Sequence, residues 1–293
     1  MEQIHDLPGE RRKLVAKPYE AGSTFRPAFL FLDKEQRAAL SAYYGYARAV
    51  DDIADDPALP DAEKAARLGA WRAAVERIFS GAPAAVPLET ELAGAVRGFG
   101  LRPEHFLLVL EGVAQDTAKK NYETFDELKT YMFKVASAVG LACLTIFRYK
   151  DADAGLLAEK LGCAVQLTNI IRDTAEDHAA GRVYLPARDL RRFGCAPADL
   201  GGGSNYTPNF IELMKFEAAR ARGLYSEADA SAGAGNRPAG GKRPFAVLVI
   251  TELYRELLAK IERGGFRVKD GRVALTAFEK GKALFYAWRN RRR

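Results

Sequence analysis

Cysteine, histidine, methionine and tryptophan are all scarce in this chain of 293 residues, at three, three, three and two copies. Cys143, Cys163 and Cys195 form an odd set without metal-ligand spacing, and the histidines are scattered, which excludes a disulfide scaffold and a thiolate or imidazole zinc site. Such cysteine usage suits a reducing, cytoplasmic compartment. Long apolar runs are missing too. Ala28 to Leu32, Val139 to Phe147 and Phe245 to Ile250 fall well short of the roughly 18 residues needed to cross a bilayer. The opening MEQIHDLPGERRK is charged and has no apolar segment after it, so no secretory signal is expected. No repeat of fixed period occurs, which excludes solenoids, and no Gly-rich dinucleotide fingerprint points to a nicotinamide cofactor. Charge of one sign is also lacking. Lys and Arg number 44 against 38 Asp and Glu, a net +6 without a recognised binding motif, so nucleic acid is not an expected partner.

What is present is the composition of a globular protein, with 48% hydrophobic and 28% charged residues. Area scaling at this length lets about three quarters of the extended surface be buried. Strand signals are sparse, whereas windows rich in Ala, Leu, Glu, Lys and Arg recur from residue 34 onward. Breakers at Pro57 to Pro60, Gly81 to Pro87 and Gly98 to Pro103 divide them into segments of common helix length. Gly201 to Pro208 reads as a loop and Ser231 to Pro244 as a linker. The chain beyond Pro244 is too short for a core of its own, so residues 1–293 are expected to form one all-α domain.

Two acidic stretches carry the chemistry. In YARAVDDIADD, a helix would stack Asp51 and Asp55 one turn apart with both carboxylates on one face. Like charges so placed repel, and the end of a helix disfavours anions, so a compensating cation is expected unless the acids form a solvated, frayed end. About 120 residues later, QLTNIIRDTAED sets Gln166, Asn169, Asp173 and Asp177 at spacings of three, four and four, one stripe of oxygen donors. Leu161, Val165 and Ile171 make the other side apolar, which suggests an embedded helix with a polar inner edge. Oxygen ligands without His or Cys suit Mg²⁺ completed by substrate phosphates. Arg48 and Arg172 adjoin the two acidic clusters, placed either to grip phosphate oxygens or to pair with the acids along their own helices.

Four blocks, GSTF (Gly22 to Phe25), YARAVDDIADD (Tyr46 to Asp56), QLTNIIRDTAED (Gln166 to Asp177) and GRVYLP (Gly181 to Pro186), resemble the squalene and phytoene synthases, the head-to-head branch of trans-prenyl transferases. The likeness runs over nearly the whole chain. It implies an isoprenoid synthase helical bundle with a central active-site cavity. It implies Mg²⁺ on Asp51, Asp55, Asn169, Asp173 and Asp177, and a diphosphate region lined by Tyr44, Arg48, Gln166 and Arg172. By weaker local likeness Thr24, Phe25, Tyr131, Tyr184, Tyr254 and Arg272 line the substrate site. Family members often have Ser where Thr24 stands, and the stretch between Tyr254 and Arg272 is one residue longer than in some relatives.

Within the family, GSTFRPAFLFLDKEQR looks most like bacterial presqualene diphosphate synthases of the hopanoid route. The implied reaction joins two farnesyl diphosphates to presqualene diphosphate and pyrophosphate. Phytoene or dehydrosqualene synthesis is the alternative, and a non-catalytic helical assembly protein of the same fold is the reading from another class. Such chemistry needs dry apolar walls, for which Val135, Ala136, Val139, Gly140, Leu141 and Leu144 are the candidates. Tyr44 and Tyr184 are candidate proton acceptors. The C-terminal mixture of Leu284, Phe285, Tyr286 and Trp288 with closing arginines is read either as a solvated tail or as a peripheral contact with anionic lipid. Downstream isoprenoid enzymes are further candidate partners.

Overall fold

The computed structural model describes residues 24–118, 121–231 and 243–291. Gly22 and Ser23 of the first block, residues 232–242 of the linker-like segment, and Arg292 and Arg293 lie outside the described residues. The elements in chain order are α1 (Arg26–Phe29), α2 (Lys34–Asp55), α3 (Asp61–Ser80), α4 (Pro87–Phe99), α5 (Pro103–Ala118) and α6 (Phe125–Met132). A π-helical turn (Phe133–Ser137) leads into α7 (Ala138–Ile146), followed by α8 (Ala154–Ala179), α9 (Ala187–Arg192), a 3-10 turn (Pro197–Leu200), α10 (Pro208–Ser231), α11 (Phe245–Arg263) and α12 (Ala277–Asn290). Among the described residues there is no β-strand, and one isolated parallel bridge joins Asn121 to Val183. The all-α expectation therefore holds.

The breakers act where the sequence puts them. Pro87 and Pro103 open α4 and α5, where a missing N–H leaves no bond unmade. Gly100, at φ 72°, closes α4 by returning its N–H to Val96 O at 2.9 Å, a left-handed cap that any Cβ would strain. Asp33 caps α2 by accepting from Gln36 N at 2.7 Å, while the Gln36 side chain accepts from Asp33 N at 3.3 Å.

Helix α8 runs through the middle, touched by α6, the π turn, α7, α10 and α11. Val165, Leu167, Ile170 and Ile171 are buried there, as is Cys163. Helix α2 packs on α3, α4, α5 and α7, so α7 touches both acidic helices. Close approach between layers is set by two glycines that face the π turn. A Cβ on Gly162 of α8 would stand 2.6 Å from Ser137 Cα, and one on Gly112 of α5 would stand 2.5 Å from Val135 Cγ1.

Candidate active site

On α2, Tyr44, Arg48, Asp51 and Asp55 recur at spacings of four, three and four, so one face carries all of them. The other side, with Leu40, Tyr43, Val50 and Ala54, is buried. Tyr43 and Tyr46 donate their hydroxyls to the carbonyls of His105 (2.6 Å) and Phe106 (2.8 Å), pinning α2 to the start of α5. Asp51 is accessible yet closely surrounded by protein atoms, with Asp55, Asp116, Asp52 and Arg182 as its charged neighbours. Arg48 is not drawn to Asp51. It pairs along its own helix with Asp52 at 3.6 Å, at the exposed rim, where such a pair contributes little.

On α8 the donor stripe is interlocked. Buried Arg172 forks onto Asp173, its Nε donating to Oδ1 at 2.6 Å and its Nη2 to Oδ2. Arg272, from the loop before α12, also donates to Asp173 Oδ1 at 3.3 Å. Asn169 donates to Gln166 Oε1 at 3.4 Å, while its own Oδ1 is buried and accepts no hydrogen bond. Tyr254 on α11 has its hydroxyl in hydrogen-bonding reach of Asn169 and Thr24, lies close to Arg172 and Tyr44, and packs its ring on Phe25 with centroids 5.3 Å apart.

The two acidic helices meet through Arg182. Gly181, at φ 74°, turns the chain back after α8, and Arg182 N donates to Asp177 O at 2.9 Å. The Arg182 side chain then crosses to α2, where Nη1 donates to Asp55 Oδ1 at 2.5 Å, and its Nε is buried without an acceptor. This single guanidinium does not neutralise the site. Burial, reinforced by Asp55, Asp116 and Asp52, pushes the Asp51 carboxyl up to about 7. Burial raises Asp177 to about 7 as well, with Arg182 opposing and Asp173, Asp116 and Asp55 adding to the rise.

Asp116 completes the ring of acids. It accepts from Tyr131 at 2.8 Å and from Tyr184 at 2.9 Å, and burial still holds it up at about 6 against those two donors. The hydroxyls of Tyr131 and Tyr184 are 3.3 Å apart and their rings stack at 5.3 Å, with Tyr122 against both. The Asn121–Val183 bridge and the bond from Ala187 N to Tyr122 O (2.8 Å) tie these segments together. Burial raises the pKa of Tyr184, so its phenol donates a proton bond to Asp116 rather than standing ready as a base.

The apolar residues expected to wall the site lie on the π turn and α7. Val135, Val139 and Cys143 follow one another at four-residue steps through the π turn and α7, partly accessible although helices enclose them. Burial pushes the Cys143 thiol up to about 12, the mark of a dry setting. Two expected wall residues do other work. Leu144 is buried in the packing, and Gly140 faces α8, where a Cβ would meet Ala158 Cβ at 3.5 Å.

Hard-cation chemistry fits these residues. Every donor is an oxygen, the carboxylates repel one another without enough positive charge between them, and Asn169 Oδ1 is buried with no donor. Among the described residues no three acidic, His or Cys side chains close on one point.

Sequence reasoning missed Asp116, Arg182 and Tyr122. Asp116 has no neighbour at helical spacing to give it away. Arg182 stands inside GRVYLP, two residues before Tyr184, but nothing in that block shows that its side chain crosses to α2.

The profile of the squalene/phytoene synthase family matches residues 20–279. The phytoene synthase of Arthrospira platensis is 31% identical over 92% of this chain and 87% of its own length, and that of Mycobacterium tuberculosis is 32% identical over 89% and 85%. The chain spans only 58% of the longer chloroplastic phytoene synthase 3 of Zea mays. Among solved structures, a dehydrosqualene synthase superposes with a TM-score of 0.82 at 26% identity, covering 96% of this chain and 97% of that one. Squalene synthase HpnC from Alicyclobacillus acidocaldarius gives 0.73, also at 26%, covering 89% and 97%. An all-α isoprenoid synthase fold, two oxygen-rich helices facing one space, and a profile match over most of the length agree: the chain belongs to the squalene/phytoene synthase family, the enzymes that condense prenyl diphosphates head to head.

Proposed function

We propose that this chain joins two allylic prenyl diphosphates head to head at the Asp51–Asp177 site, and that the substrate is geranylgeranyl diphosphate, giving a phytoene-type product. The observation that carries the proposal is the Arg182–Asp55 bridge, which puts the acidic faces of α2 and α8 on one space. The curated phytoene synthases support the chain length, in place of the presqualene product expected from the GSTFRPAFLFLDKEQR stretch.

In the proposed reaction the C–O bond of one substrate breaks and its electron pair leaves with pyrophosphate. Asp51, Asp55, Asn169, Asp173 and Asp177 would hold Mg²⁺, which when bound supplies positive charge to the leaving diphosphate. Arg172, beside Asp173 on α8, and Arg272, reaching the same carboxylate from the loop before α12, would orient phosphate oxygens, with Arg48 at the rim and Gln166 and Tyr254 beside Asn169. The double bond of the second substrate attacks the cation and a proton is lost, closing a cyclopropane that still carries one diphosphate. Its C–O bond then breaks, the electron pair leaving with a second pyrophosphate, and ring opening with loss of a second proton gives the hydrocarbon. Val135, Val139 and Cys143 keep water from quenching the cation. Asp116 would accept the first proton, with Tyr131 and Tyr184 holding its carboxylate in place. Tyr184 is thus a positioning group rather than a base.

Mass spectrometry of organic extracts after incubation with Mg²⁺ and either geranylgeranyl or farnesyl diphosphate tests this. Phytoene from the longer substrate is expected. A second reading, condensation of farnesyl diphosphate to presqualene diphosphate or dehydrosqualene, is favoured by the names of the solved structures and would be adopted if only the shorter substrate turns over. No turnover of either, or turnover untouched by Asp51→Asn and Asp173→Asn, would defeat both.

A further inference from the structure

Exposed apolar side chains are unevenly distributed on this molecule. Six large ones are exposed among the described residues: Leu30 (71%), Phe31 (45%), Leu156 (44%), Phe278 (83%), Phe285 (56%) and Trp288 (48%). Single exposed residues need no explanation, but five of these six belong to α12 and the corner after α1, two of the elements that pack on α11.

On α12 the three aromatics follow one another at seven and three residues, a single stripe of the helix. Ala283 and Ala287, 1% and 0% exposed, take the opposite side and seat α12 on α11, so the aromatics point away from the core. Phe285 and Trp288 stack with centroids 6.1 Å apart, a preassembled aromatic surface. The ion pairs Lys260–Glu279 and Lys282–Glu256, with Asn290 on Glu252, run the two helices antiparallel. The end of α12 that carries Trp288 therefore lies toward the start of α11. There Phe245 meets Phe31 edge-on at 4.7 Å.

Charge accompanies the aromatics. From Ala277 to the C-terminus the sequence has six Lys or Arg against one acid, Glu279, so this short segment holds five of the six net positive charges of the chain. The acid is already engaged by Lys260, whereas Arg289 and Arg291 lie over the Tyr286 and Trp288 rings at 5.3 and 4.8 Å. Aromatics flanked by basic residues on one exposed helix face match a bilayer surface, apolar below and anionic above.

We propose that the outer face of α12, with the Leu30–Phe31 corner, is a monotopic docking surface for anionic lipid bilayers. No helix among the described residues is long and apolar enough to cross a membrane, so α12 lies along the surface rather than through it. The same α1 corner leads inward. Phe25, directly before α1, packs on Tyr254 of the candidate active site. The docking surface stands on its own residues. Only its use, release of a water-insoluble hydrocarbon into lipid, rests on the proposed reaction.

The test needs no substrate, so its failure and failure of the enzyme reading are separable. Trp71 and Trp288 are the only tryptophans, and Trp71→Phe leaves Trp288 as the sole reporter. Vesicles of phosphatidylcholine with phosphatidylglycerol should shift its emission to the blue and sediment the full-length protein, whereas pure phosphatidylcholine should bind it weakly. Phe278→Ser with Phe285→Ser should lower partition by about tenfold or more, and added salt should lower it further. Circular dichroism melting of that variant separates lost binding from lost folding. Unchanged emission, or equal partition of the folded variant, overturns the proposal. So does concentration-dependent dimerisation that the same substitutions abolish while vesicles are ignored, which would make the face a contact between two copies.

Discussion

Asp116 is where a single side chain has most influence. Two tyrosines, from α6 and from the loop after α8, converge on its carboxylate, so Asp116→Asn removes a charge while leaving a side chain of the same shape. Turnover should fall by about a hundredfold with the melting temperature nearly unchanged, as read by pyrophosphate release and circular dichroism. Tyr131→Phe should cost less, because Tyr184 still holds the acid. His105 offers a test unrelated to catalysis. Burial, with Arg102 adding to it, lowers its pKa to about 4, and its Nδ1 accepts from Arg102 N at 3.3 Å, which requires the neutral ring. The unfolded chain takes up a proton near 6.5 that the folded chain refuses until about 4, so stability is lost as pH falls through that window, by about 3 kcal/mol at most. Urea titrations of His105→Gln should show a flatter acid limb than the parent. Neither residue was legible in the sequence, since a lone Asp or His carries no periodicity, whereas Asp51 with Asp55 and Asn169 with Asp173 and Asp177 announced themselves by helical spacing.

At the scale of elements, the helices were readable because the breakers are strong and the apolar periodicity is long. The π turn was not. One extra residue in a helical turn leaves composition unchanged, and its cause is tertiary: Gly112 of α5 and Gly162 of α8 let their helices press against Val135 and Ser137. That contact also sets the site, since Asp116 lies one turn beyond Gly112 and Gln166 one turn beyond Gly162. Gly162→Ala would force a methyl against the Ser137 backbone and should destabilise the protein by about 2–4 kcal/mol in denaturant titrations. Gly155→Ala, on the same helix but with open space around its Cα, is the control and should be neutral or slightly stabilising. If both behave alike, the close approach of α8 to the π turn has no energetic weight.

For the whole molecule, the prediction concerns linkage. The acids of α2 and α8 repel one another in the metal-free protein, so Mg²⁺ with inorganic pyrophosphate should stabilise the fold more than either alone. At a hundred times the dissociation constant the gain is about 2.7 kcal/mol, or a melting temperature higher by about 5 °C or more. Asp173→Asn should abolish most of that rise, and an equal rise in the variant would place the cation elsewhere. The bundle, its central helix and the meeting of two remote motifs could be anticipated from spacing and likeness. The Arg182 crossing could not, because it depends on the turn that Gly181 makes after α8.

That crossing also means that the two acidic helices are tied together by the protein itself. A guanidinium anchored just past the end of α8 clasps Asp55 of α2, so the spacing of the two rows is set by one side chain and its removal should let them drift apart.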